Sequence, residues 1–107
     1  MTGDPAVDLA DTERVFAALA HASWRHILLT LHFRGGAMSA GEIAGRFSCS
    51  WPTTTRHLNV LRESGLVEVE KAGRERVYRL NRDKLQATVG AWLDWFDREP
   101  GAGVAPE

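Results

Sequence analysis

One cysteine, Cys49, stands in the whole 107-residue chain, so no internal disulfide can form. That usage suits a reducing cytosol. No apolar run approaches the ~18 residues of a membrane span. The opening MTGDPAVD is acidic and polar, unlike a secretory leader. A cytoplasmic location with no membrane partner follows. Also missing are a nucleophile–base constellation, a phosphate-cradling glycine-rich loop and paired carboxylates placed for a cleft, which leaves no basis for an enzyme. Net charge is small, at −1 from 13 Lys+Arg and 14 Asp+Glu. Taken alone, that balance argues against a nucleic-acid binder.

The distribution of charge says more than its sum. Residues 39–82 carry eight Lys/Arg against five Asp/Glu, a local +3. Residues 1–38 come to −1 and residues 83–107 to −3. A basic centre with acidic flanks fits a DNA-facing middle, and ordinary surface scatter could give the same small excess. With 44% hydrophobic and 25% charged residues, the composition is that of one globular domain with a modest core.

The stretch from Met38 to Gly65, MSAGEIAGRFSCSWPTTTRHLNVLRESG, organises the chain. Ser39 and Glu42 have the spacing of a capping box at the start of a short helix. Ile43, Ala44 and Phe47 give that helix an apolar face. Ser48, Cys49 and Ser50 make a turn. Ser50 then caps a second helix with Pro52 in its first turn, and Ser64-Gly65 ends it. Thr54, His57, Leu58 and Leu61 fall on one face of this helix. Pro52, Arg56, Asn59 and Glu63 fall opposite, with Thr53 and Thr55 on the flanks. A support helix, a tight turn and a second helix with a Thr/Arg-bearing front is the arrangement that enters a DNA major groove.

Upstream, residues 1–8 read as a flexible leader. A helix is expected from about Leu9 to Ala20 on the stripe Val15, Phe16, Leu19 and Ala20. A second carries Trp24, Ile27, Leu28 and Leu31 at i, i+3, i+4 and i+7, and Gly35-Gly36 ends it. Downstream, Leu66–Glu70 and Arg76–Leu80 read as two strands joined by KAGRE, a β-hairpin. Lys71, Arg74 and Arg76 cluster at its tip and shoulder. Residue types do not separate a phosphate-touching wing from a merely solubilising hairpin. Asn81 or Asp83 can begin a last helix, on which Leu85, Val89, Trp92, Leu93 and Phe96 share a face that Trp95 extends. Residues 98–107 read as a flexible tail. The expected fold is mainly α with a β-hairpin wing, in the order α-α-α-α-β-β-α, over residues 9–97.

These residues resemble the bacterial ArsR-type transcriptional repressors. VFAALAHASWRHILLTL is similar to that family's two opening helices. Ser-Ala-Gly-Glu-Ile-Ala, Thr-Thr-Thr-Arg-His-Leu-Asn-Val-Leu and Ser-Gly-Leu-Val resemble its helix-turn-helix core, and Gly73-Arg74 through Leu80 its wing. His21-Ala22-Ser23-Trp24 departs from the family's usual Asp-Pro-x-Arg, which should alter local packing. The resemblance implies a homodimer, joined through its terminal helices, that binds an inverted-repeat operator on double-stranded DNA and represses by blocking transcription. A helix bearing Trp92, Trp95 and Phe96 agrees, since so small a domain does not readily bury that much aromatic surface. Phe16 joins them as an expected interface residue.

Many members of the family sense metals. At the two positions that match its support-helix Cys-x-Cys pair stand Ser39 and Gly41, and neither supplies a soft ligand. The last helix has Asp94 and Asp97 but no histidine. His21, His26, His32 and His57 show no i, i+4 pairing. No metal site and no cofactor are therefore expected, and the chain more resembles the metal-independent autorepressor branch, whose last helix carries a similar aromatic run.

The candidate DNA contacts are Ser50, Trp51, Thr53, Thr54, Thr55, Arg56 and Asn59, with Arg74 and Arg76 from the wing. Arg can grip guanine, Asn adenine, and Thr a thymine methyl. Trp51 could press on sugar and methyl surface or brace the support helix. Cys49, just before a helix N-terminus, could instead serve a redox switch. The same chain could also hold a small ligand in a dimer pocket, or use its winged helix to bind protein rather than DNA.

Overall fold

The computed structural model describes residues 5–48 and 50–101, with side chains from Leu9 onward. Five α-helices and a three-stranded antiparallel sheet follow in the order α1 (Pro5–Leu19), α2 (Ala22–Phe33), β1 (Ala37–Ser39), α3 (Ala40–Phe47), α4 (Trp51–Glu63), β2 (Val67–Ala72), β3 (Glu75–Leu80) and α5 (Arg82–Asp94). A single 3₁₀ turn, Trp95–Asp97, extends α5. The expected architecture is present, with one addition and one earlier start.

The addition is β1. Its three residues pair with β3, Met38 opposite Tyr78, to give the sheet order β1-β3-β2. The strand before the support helix is thus hydrogen-bonded to the base of the wing. The earlier start is α1, which is helical from Pro5 rather than from Leu9. Proline's fixed φ and missing N–H suit a helix's first turn. The rest of the expected leader (residues 1–4) and residues 102–107 of the tail lie outside the described residues.

One core joins these elements. Val15 and Ala18 of α1, Ile27, Leu28 and Leu31 of α2, Ile43 of α3, Leu58 and Leu61 of α4, and Met38, Leu66, Val67 and Tyr78 around the sheet are all buried. In α1 the inner line runs through Val15 and Ala18, while Ala20 is exposed. The junctions are tied by specific bonds. Ser64 Oγ donates to the Leu61 carbonyl at 2.7 Å and accepts from Leu66 N–H at 3.3 Å. Gly65 then turns the chain with φ +83°, a left-handed value that glycine takes without strain. Asn81 Oδ1 accepts from Lys84 N–H at 3.1 Å, so Asn81 is the residue that caps α5. Its Nδ2 reaches back to the Gly65 carbonyl at 3.2 Å.

α5 differs from the other helices in contributing no fully buried residue. Leu85 and Val89 are half-buried, whereas Trp92, Leu93, Trp95 and Phe96 are 51%, 51%, 45% and 69% exposed. Lys84 Nζ forms an ion pair with Asp11 of α1. Trp92 stands edge-on to Phe16 at 5.8 Å between ring centroids and to Phe96 at 5.0 Å.

Candidate nucleic-acid interface

α3 and α4 are each started by the serine that the sequence assigns to them. Ser39 N–H donates to Glu42 Oε1 at 2.9 Å and Glu42 N–H to Ser39 Oγ at 3.1 Å, a complete capping box. The bond from the Ser39 backbone, with that from its hydroxyl, holds the Glu42 carboxyl below its ordinary pKa, so the cap stays charged. Ser48 ends α3 in the left-handed region, φ 53° and ψ 35°. Ser50 Oγ accepts from Thr53 N–H at 3.3 Å and donates to Thr53 Oγ1 at 3.0 Å. Pro52 sits in the first turn of α4 without leaving a donor unpaired.

This start fixes which side of α4 faces out. Leu58 and Leu61 are buried against the core. Ser50, Trp51, Thr55, Arg56 and Asn59 are exposed, and Thr53 is half-buried. Trp51 is 59% exposed. Thr54 is the correction. Counted among the DNA-facing residues from sequence, it is 3% exposed and its hydroxyl has no hydrogen-bond partner among the described residues. It lies one turn before Leu58 on the buried face, out of reach of a nucleic acid.

His57, expected near the buried face, has a specific partner. Trp24 Nε1–H donates to His57 Nδ1 at 2.6 Å, with the rings 6.0 Å apart and edge to face. His21 also lies against Trp24, with ring centroids 4.0 Å apart and the planes tilted by 49°. The segment that departs from the ArsR pattern thus bridges α2 to the middle of α4. Burial, with Arg56 and His21 nearby, pushes the His57 pKa down, and the neutral ring is the form that can accept the Trp24 proton.

The wing closes through a two-residue turn, Gly73-Arg74, between the paired Ala72 and Glu75. Gly73 has φ +64° and Arg74 does not enter the positive region, the pattern of a type II′ hairpin turn. Both strands are longer at the tip than the residue pattern alone placed them, because the expected five-residue loop pairs inward. The register sets Lys71 directly opposite Arg76. Like charges so placed repel each other, and neither has a carboxylate partner among the described residues. Arg79 is different, since it is paired with Glu70 at 2.7 Å. Arg74 and Arg76 are exposed, as contact with DNA requires. Lys71 is exposed beside them. Counting back from Gly73 as the first turn residue would have found the pair.

Cys49 lies outside the described residues. Among the described residues no group of three or more His, Cys, Asp or Glu side chains is placed to hold a metal ion. No helix of the described chain is long and apolar enough to cross a membrane.

Residues 14–70 match a family of helix-turn-helix domains. Over 84 residues the chain is 33% identical to the transcriptional repressor SdpR of Bacillus subtilis, covering 78% of this chain and 91% of that one. An ArsR-like transcriptional regulator from Rhodococcus sp. RHA1 superposes with a TM-score of 0.67 at 35% identity, over 83% of this chain and 88% of that one. The solution structure of a homodimeric winged helix-turn-helix DNA-binding domain from Mycobacterium bovis shares the fold, with a TM-score of 0.66 at 24% identity, over 99% of this chain and 100% of that one. These relatives are regulators of transcription and not enzymes. With a capped recognition helix, a basic wing and this kinship on one chain, the protein belongs to the ArsR-type winged helix-turn-helix transcriptional repressors.

Proposed function

We propose that the chain acts in the cytoplasm as a homodimer on an inverted-repeat operator, without a metal, and that its own gene is among its targets. The observation that carries this reading is the outward face of α4. Thr55, Arg56 and Asn59 stand exposed while Leu58 and Leu61 anchor the opposite side. In a dimer, two such helices would enter successive major grooves, about 10 base pairs apart. Arg56 suits guanine and Asn59 adenine, Thr55 can meet a thymine methyl, and Trp51 offers a flat apolar surface to a sugar or methyl group. Ser50 and the first turn of α4 suit a phosphate. The opposed Lys71 and Arg76, with Arg74 at the tip, form a cluster whose self-repulsion a DNA phosphate would relieve.

Dimerisation is supported at the other end of the molecule. Phe16, Trp92, Trp95 and Phe96 form an aromatic edge along α1 and α5. Beside it, a groove of about 540 Å³ runs between the two helices over Ala87, Thr88 and Ala91. Small residues below an aromatic rim suit the side chains of a second copy. Metal independence rests on the donors, since Ser39 and Gly41 occupy the expected thiolate positions and both terminal-helix aspartates lack a histidine.

The test is an anisotropy titration with DNA from upstream of the protein's own gene against scrambled DNA, with and without a zinc chelator. Specific binding that ignores the chelator is expected. Arg56→Ala should weaken it by about 1–3 kcal/mol, and loss of Arg76 should lower the salt slope by about 1. Unchanged affinity in Arg56→Ala would remove that residue from the reading face.

A further inference from the structure

The molecule has a second groove, lined by other residues than the one beside the aromatic edge. It lies where α2, the end of β3 and the start of α5 meet, and encloses about 550 Å³. That is within the range of small-molecule sites. Its floor is aliphatic, from Leu28 and Leu29 of α2, Leu80 of β3 and Leu85 of α5. Leu28 is buried in the core, and Leu29 is 55% exposed with its side chain along the opening. Arg25 and Arg82 stand on the rim. Arg25 Nη1 donates to the Leu19 carbonyl at 2.7 Å, which holds its guanidinium at this place and leaves its other N–H groups available. Neither arginine is in an ion pair with any described carboxylate.

An aliphatic floor under two uncompensated guanidinium groups selects one ligand chemistry. The floor favours an apolar body, and a planar cation fork favours a carboxylate. We propose that this groove binds a small amphipathic carboxylate, and that the bound molecule regulates the repressor. The position makes regulation direct. Leu80 leads into Asn81, which caps α5 and hydrogen-bonds Gly65 at the end of the recognition helix. α2 carries Trp24, which holds His57 of that same helix. A ligand wedged among α2, β3 and α5 bears on wing, recognition helix and dimerising helix together. The regulatory part rests on the DNA-binding reading. The binding part does not.

The experiment is calorimetric titration of the full chain with decanoate, below its micelle concentration, with decanol and decyltrimethylammonium as comparison ligands. Saturable binding of decanoate at one site per chain is expected, with both comparison ligands at least tenfold weaker. Arg82→Gln should weaken decanoate about tenfold, as loss of one charge-assisted hydrogen bond does. The ring protons of His32, on the groove wall, should shift in the NMR spectrum with decanoate while the fold is retained. Equal binding of decanoate and decanol, or an unaffected Arg82→Gln, would overturn the proposal. So would decanoate splitting a dimer into monomers, because the groove would then be covered by the second copy. Binding that leaves operator affinity unchanged would sink the regulatory part alone, and failure to find an operator would leave the titration readable.

Discussion

The hydroxyl of Thr54 is buried in the core with no partner among the described residues. A buried hydroxyl without a hydrogen bond is a net cost to folding. Thr54→Val keeps the shape and removes that cost. It should raise stability by about 1 kcal/mol, seen as a higher urea midpoint at unchanged slope, with operator affinity unaltered. His57 leads to a prediction in pH. Its native pKa lies below the ordinary 6.5, so on acidification the unfolded chain takes up the proton first. Stability therefore rises with pH across this range, and falls as the pH drops from about 6.5 through the lower native value. Denaturation midpoints at neutral and mildly acid pH should show the loss. His57→Gln, which can still accept from Trp24, should show a smaller slope. At this scale the sequence was legible where a side chain bonds to its own neighbourhood, as Ser39 does with Glu42. Trp24 and His57 lie 33 positions apart, and no local pattern announces such a pair.

Among the elements, α3 owes its start to one residue. Ser39 serves the capping box and, as the last residue of β1, pairs with Val77 of the wing. Ser39→Ala keeps the backbone pairing and removes the cap, so thermal melting should report a loss of about 1 kcal/mol. A larger loss would mean that the cap also holds the strand in place. The helices, their caps and the hairpin could all be read from the chain, because period, cap and turn residues are local signals. β1 could not. Ala37, Met38 and Ser39 carry no alternating run long enough to register, and they become a strand only because β3 lies beside them. Thr54 was misplaced for a different reason. The spacing of Thr54 to Leu58 and Leu61 already set it on the inner face, and grouping it with its two neighbouring threonines as a DNA contact overrode that signal.

For the whole molecule, the two ends have opposite needs. The α3–α4 end seats Ile43, Leu58 and Leu61 in the core of one copy, while the α1–α5 end leaves Trp92, Leu93, Trp95 and Phe96 about half or more exposed. Trp92→Ala removes the ring that links Phe16 to Phe96. Sedimentation across a dilution series should show the variant falling to monomers at concentrations where the parent chain remains paired; a variant that stays dimeric on dilution would place the interface elsewhere. The β1–β3 pairing has a consequence in time rather than in space. The wing hairpin is local and closes in about 1–10 μs. Met38 must find Tyr78 across 40 positions of chain, with the whole helix-turn-helix looped out between them. Closing a loop of that length costs about 3 kcal/mol of chain entropy. The recognition helix can therefore form early from its own contacts, whereas its set angle to the wing waits for the slowest-closing pair in the sheet.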